Sequence, residues 1–196
     1  MPAMPVILKP GPQRIAAAML LAGFSETVTY PDVTDACGKV WKAPNAVLIA
    51  TSIAGGESSG NAWVYRDNTD GTTDFGLMEI NQHYNAELYP PTEKYPSHTS
   101  LNWAIHTDNA KMAYAVYQKA QVPRVKNNAP PTDDWLPWHA YAGITRERYN
   151  NLSWMSWAQY GIDGVHTLLK AGSTLDMIAS IDLDPLVYGQ KPLLWS

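Results

Sequence analysis

The stretch ESSGNAWVYRDNTDGTTDFGLMEIN, Glu57 to Asn81, decides how this chain is read. Glu57 closes an apolar, helix-like run, and Asp74 stands just before a second apolar run, so two carboxylates are offered from two different elements. Between them, Asn68-Thr69-Asp70-Gly71 is a tight-turn signal, because Asn, Asp and Gly tolerate the left-handed backbone that short hairpins need. Val64-Tyr65 and Thr72-Thr73 flank it with strand-favouring residues. The predicted hairpin carries Asp74 back towards the helix end that holds Glu57. Glycoside hydrolysis uses such a pair: one carboxylic acid protonates the leaving oxygen, and one carboxylate faces or attacks the oxocarbenium-like centre.

Upstream, Pro44 and Asn45 open the helix, in which Val47, Ile49, Ala50, Ile53 and Ala54 supply the apolar positions of a mostly buried segment. Gly55-Gly56 weakens it just before Glu57 and allows close approach of other backbone. A carboxyl at the end of a buried helix is expected to be partly desolvated, which raises its pKa towards the value a general acid needs. Asp74 has two readings, as the second carboxylate or as the cap of a helix beginning near Gly76. Asn68, Thr73 and Asn81 can orient Asp74 or a sugar, or can simply serve the turn.

Further out, residues 1 to 11 read as an extended lead-in and Pro12 to Phe24 as a short helix, with Pro in its first turn and Gly23 near its end. Lys9 and Arg14 before an apolar run resemble a secretion signal, but no small-residue cleavage site follows. Ser25 to Ala43 reads as an irregular connector. His83 to Ser100 reads as a long loop that walls a cleft, with Tyr84 and Tyr89 among its aromatic residues. A helix is predicted from Leu101, capped by Thr107 or Asp108, then a connector over Gln121 to Asp134 that leads into Trp135-Leu136-Pro137-Trp138-His139-Ala140-Tyr141. Beyond Asn150, Leu152 to Tyr160 and Val165 to Ala171 read as two short helices. The apolar tail from Ile181 to Ser196, broken by Pro185, Gly189 and Pro192, either packs on its own domain or docks on a partner.

Composition narrows the function classes. A length of 196 residues fits one domain with appendages. The 8 Trp and 11 Tyr against 2 Phe suit platforms for sugar rings, which need an apolar face with a polar handle. Cys37 is the single cysteine, so no intrachain disulfide can form, and it reads as a small buried apolar residue rather than a nucleophile. The net charge of -4 argues against nucleic acid as a partner. No apolar run approaches a membrane span. The histidines at 83, 98, 106, 139 and 166 lack metal-type spacing, so neither a metal nor another cofactor is expected.

The run from Asn68 to Gly76, followed by Ile80-Asn81, resembles the active-site hairpin of animal-type lysozymes, and the spacing of Glu57 and Asp74 matches that of their two catalytic carboxylates. Glu57-Ser58, Gly76-Leu77-Met78-Glu79-Ile80 and Ala140-Tyr141 are also similar to the pattern of SLT-type lytic transglycosylases. Ala22-Gly23-Phe24, Glu57 to Asn61, Ala113 to Tyr117 and Trp135 to Trp138 resemble the lysozyme-like domains of tail and lysis proteins from actinobacterial phages. The resemblance covers residues 12 to 150, with 151 to 196 as a helical extension and tail. It implies a mixed α+β, mainly α, lysozyme-like fold with a small hairpin lobe, cleaving the β-1,4 bond between N-acetylmuramic acid and N-acetylglucosamine of peptidoglycan.

In that reading Glu57 is the general acid and Asp74 the second carboxylate, with Ser58, Asn68, Thr73, Glu79, Asn81, Trp138 and Tyr141 as substrate-binding residues. The alternatives are a lytic transglycosylase with Glu57 as sole acid and base, or a non-catalytic glycan-binding or structural virion subunit. Glu79 departs from both patterns, which usually have Gln; it either discourages ionisation of its neighbours, or points to solvent or pairs with Arg or Lys. The expected setting is a phage virion tail, or the host cytoplasm before lysis. Peptidoglycan strands are the expected partner, with other virion proteins met through the C-terminal tail. A mildly acidic protein lacks electrostatic steering to anionic walls, and tethering would supply the local concentration instead.

Overall fold

A computed structural model describes residues 11–35, 37–89, 101–138 and 154–180. It is a mixed α+β structure, mainly helical, with two small antiparallel sheets. Helix α1 (Pro12–Ala22) is its hub. Proline fits its first turn, where the missing N–H would be unpaired in any case, and Gly23 ends it at φ 116, with the Gly23 and Phe24 amides bonding back to Leu20 and Met19. Ile15 through Met19 are all buried, an all-round apolar segment rather than a one-sided stripe.

Strands β1 (Val33–Thr34) and β2 (Val40–Trp41) form a hairpin inside the segment expected to be an irregular connector. The Asp35 carboxylate makes this turn: it accepts from the amides of Cys37 and Lys39 and from Trp41 Nε1. The Trp41 bond, more than the others, holds the Asp35 carboxyl below the usual carboxylate range. Helix α2 (Ala46–Ser58) starts as the sequence predicts, with Asn45 Oδ1 accepting the Leu48 amide at 2.9 Å, and is buried from Ala46 to Gly55. A Cβ on Gly55 would stand 2.7 Å from the Trp154 ring, so that glycine admits a side chain rather than another backbone.

Strands β3 (Tyr65–Asp67), β4 (Thr73–Phe75) and β5 (Ile80–Asn81) make the second sheet, in that order and antiparallel throughout. Helix α3 (His106–Lys126) differs from expectation at both ends. Ile105 occupies the cap position, while Asp108, inside the first turn, reaches back to accept the Asn102 amide. The helix also continues through Pro123, so residues 121 to 126 are helical rather than a connector. Pro123 has no N–H for the Lys119 carbonyl, but bonding continues past it, with the Asn127 amide on Pro123 O at 2.9 Å and the Ala129 amide on Arg124 O at 3.0 Å, and Val122 and Val125 remain exposed.

Helix α4 (Met155–Lys170) is one continuous helix where two were expected. Gly161 and Gly164, within the gap expected between those two helices, are points of close approach to α1: a Cβ on either would lie 2.5 Å from Pro12 O or Gln13 Cγ. Met155, Ala158, Ile162 and Val165 join the same core as α1 and α2. Short helix α5 (Leu175–Ala179) follows, capped by Thr174. The expectations for residues 1–10 and for the tail from residue 181 lie outside the described residues.

An aromatic cluster of Phe24, Tyr30, Tyr114, Tyr117, Trp135 and Trp138 joins α1, α3 and the 3-10 turn Pro131–Trp135. Buried Asp134 is satisfied there by Tyr30, Gln121 and Arg124, and Tyr117 bonds the Tyr30 hydroxyl at 2.6 Å. Among the described residues, no helix is long and apolar enough to cross a membrane.

Candidate active site

The end of α2 and the strands of the second sheet meet across one turn, Phe75 to Glu79, which is held from three directions. Ser58 Oγ donates towards Leu77 O at 2.8 Å and Ala54 O at 3.0 Å, and accepts the Asn61 amide at 3.1 Å. From α3, Asn109 Oδ1 accepts the Met78 amide at 2.9 Å while its Nδ2 donates to Phe75 O at 3.3 Å. Trp138 Nε1 donates to Met78 O at 3.0 Å. Gly76 sits between these partners at φ 81.

The chain segment that leaves Asp74 is therefore tied to the residue next to Glu57. Ser58, expected to bind substrate, is buried and faces this turn; its position one residue past Glu57 puts it on the inner side of the helix end. Ser58→Ala is expected to cost roughly 1–3 kcal/mol, the penalty for stranding buried polar partners. Urea unfolding measures this, and a loss below about 0.5 kcal/mol would contradict the strut role.

Asp74 is a strand residue, and residues 76–79 form a turn rather than a helix, so it caps nothing there. Register sets its neighbours: Arg66 on β3 and Asn81 on β5 lie directly opposite it, in a row across one face of the sheet. Asn81 Nδ2 donates to Asp74 Oδ1 at 2.7 Å and to Thr72 Oγ1 at 2.8 Å, while its Oδ1 accepts the amides of His83 and Tyr84. Asn68 donates to Thr72 Oγ1 at 3.1 Å and lines the cleft.

Thr73 has a different place. Strand alternation turns it away from Asp74, and its hydroxyl donates to Asp67 at 2.8 Å. It is absent from the cleft lining, which corrects the expectation that it orients Asp74 or a sugar.

Glu79 pairs with Arg66, one of the alternatives left open by the sequence. Its side chain is only 7% exposed, with Oε2 at 3.3 Å from Arg66 Nη2, an ion pair off the line of a hydrogen bond. Arg66 also faces Asp74 Oδ2 at 4.0 Å. Burial raises the Glu79 pKa above the usual carboxylate range, Arg66 opposes this, and Asp74 adds to it.

The folded state thus binds the Glu79 proton more tightly than the unfolded chain does, so stability falls as pH rises from the ordinary Glu pKa through the raised one. Glu79→Gln removes that loss. Its Tm is expected to exceed that of the native protein at pH 7 and to converge with it below the ordinary Glu range; equal Tm values at both pH values would contradict the assignment.

Glu57, half-buried in the last turn of α2, lines with these residues a cleft of about 710 Å³. Asp74, Glu79, Asn81, Arg66 and Asn68 form the sheet side, and Val116, Lys119 and Ala120 of α3 face them. Lys119 bridges Tyr84 O and Glu87 Oε1, fastening the segment after β5 to α3. Trp138 lines the cleft but is 3% exposed, with its ring against Trp135, so it is a floor more than an open platform. Tyr141 lies outside the described residues.

The cleft therefore holds a carboxyl from a helix end and a carboxylate from a facing strand, the latter bonded by the Asn81 side-chain amide. That arrangement can deliver a proton to one side of a bound group and place negative charge near another. Among the described residues, no group of three or more His, Cys, Asp or Glu is placed to hold a metal ion. Sequence reading missed Arg66, although extending the hairpin register outward from Asn68–Thr72 sets it opposite Asp74. It also missed Asn109, whose signal is only its place on the buried face of α3. In sequence comparison, no protein-family model and no curated protein matches this chain.

Proposed function

We propose that this protein is a peptidoglycan-cleaving muramidase with a lysozyme-like fold, acting on the β-1,4 bond between N-acetylmuramic acid and N-acetylglucosamine. The observation that carries the reading is that Glu57 and Asp74, which reach the site from a buried helix end and a facing antiparallel sheet, line the same open cleft. Glu57 donates a proton to the bridging oxygen as the bond breaks, and then takes one from the incoming water. Asp74, fixed by Asn81, supplies negative charge opposite the oxocarbenium-like centre. The resemblance to phage tail and lysis proteins extends the proposal to a phage-encoded enzyme that works at the bacterial wall.

A second reading, like the first, needs no attacking carboxylate. Asp74 Oδ1 is engaged by Asn81 and Oδ2 faces Arg66, which suits a carboxylate acting through space better than an attacking one. In a lytic transglycosylase Glu57 alone is acid then base, and the muramic 6-hydroxyl closes the ring in place of water. Incubation of the protein with purified, insoluble peptidoglycan tests both enzymatic readings against a glycan-binding role. Release of soluble glycan fragments is expected, and binding without release would overturn both.

A further inference from the structure

We infer that Arg66, pinned by Glu79, is a positioning residue for Asp74. The inference rests on the muramidase reading of the same cleft and goes beyond it by assigning a role to the cation that, among the described residues, faces both Asp74 and Glu79.

Three observations carry it. Arg66 and Asp74 are directly opposed in the β3–β4 register, so their side chains emerge on one face with a guanidinium nitrogen 4.0 Å from Asp74 Oδ2. Arg66 is itself 63% exposed, and a long side chain at such a site would ordinarily sample many rotamers. Glu79 restrains it. That carboxylate is buried, lies 3.3 Å from the same nitrogen, and extends from a non-glycine residue held at φ 42.

Oε2 of Glu79 has no hydrogen bond, so neither the burial of this charge nor the left-handed backbone under it is balanced by a local bond to that oxygen. What both accomplish is to set a negative charge beneath Arg66. With Asn81 on one oxygen and the anchored guanidinium facing the other, Asp74 is held from both sides in one orientation towards the cleft. Strain and burial kept at a site in this way mark a positional constraint rather than a contribution to folding.

The test compares the full chain with Arg66→Gln, Arg66→Lys and Glu79→Gln, using soluble glycan strands from peptidoglycan for kcat and KM and the carboxyl 13C resonance of Glu79 to follow the pair. Arg66→Gln is expected to lower kcat by roughly tenfold with KM changed less than about threefold, since the lost interaction serves the transition state. Arg66→Lys is expected to recover part of kcat, because it restores the charge without the planar fork. Glu79→Gln is expected to lower kcat in the same sense while keeping the protein folded.

In Arg66→Gln the Glu79 resonance is expected to titrate at higher pH than in the native chain, because the cation that opposes its protonation is gone and Asp74 remains. An unmoved Glu79 titration would overturn the pairing, and unchanged kcat in Arg66→Gln would overturn the positioning role. A native chain that cleaves nothing would overturn the muramidase reading and this inference with it, a result distinct from an active native chain with an equally active Arg66→Gln.

Discussion

Glu57→Gln is expected to slow wall cleavage by roughly 10²–10⁴-fold, the usual contribution of one positioned acid-base group. Gln keeps the shape and polarity of Glu but has no proton to deliver to a leaving oxygen. The residue sits in the last turn of α2, beyond the fully buried segment that ends at Gly55, so the substitution leaves the core intact. Fragment release from purified peptidoglycan, measured beside the circular dichroism of both proteins, checks the expectation. Equal release by two equally folded proteins would remove Glu57 from the mechanism and with it the proposed division of roles.

The largest effect on stability is expected from Gly76→Ala. A Cβ there would stand 2.1 Å from Asn109 Nδ2 and 2.6 Å from Trp103 O, and φ 81 is a conformation an L side chain rarely adopts. Asn109 cannot retreat without releasing the buried Met78 amide. Backbone strain of about 1 kcal/mol and a stranded donor of about 1–3 kcal/mol, with the overlap added, put the total on the order of 3–5 kcal/mol.

Gly71→Ala is the control. Gly71 has the same φ of 81 with no atom within 4 Å of the added carbon, so only the backbone cost of about 1 kcal/mol applies. Denaturant unfolding of the two variants measures the difference, and equal losses would show that the clamp around Gly76 adds nothing beyond its backbone angle.

The parts of this molecule that sequence made legible are those governed by local chemistry. The Asn68–Gly71 turn, the Asn45 cap, the left-handed Gly23 and the placing of Glu57 at a helix end all follow from residues acting within a few positions of themselves. The misread features depend on what lies across from a residue. Where two short helices are expected, α4 runs on through Gly161 and Gly164, whose missing Cβ atoms are the condition for contact with α1. Pro123 suggests a helix end, but only its own N–H is lost, and its carbonyl still accepts the Asn127 amide as the helix runs on.

In the site the same division holds. Asp74 and Asn81 were legible because the hairpin fixes them. The sequence puts Ser58 among the substrate-binding residues, whereas its direction depends on the Leu77 carbonyl nineteen positions away, and Asn109 has no local signature. Glu79 stands out in the sequence by its identity, but its pairing with Arg66 depends on the strand register.

Joint hydrolysis of a glycan strand by Glu57 and Asp74, as proposed, is expected to release from purified peptidoglycan fragments that end, by mass spectrometry, in free, reducing N-acetylmuramic acid. Fragments ending in 1,6-anhydro-muramic acid, lighter by one water, would contradict hydrolysis and leave Glu57 as the only acid and base; no fragments at all from the folded protein would contradict catalysis at this cleft.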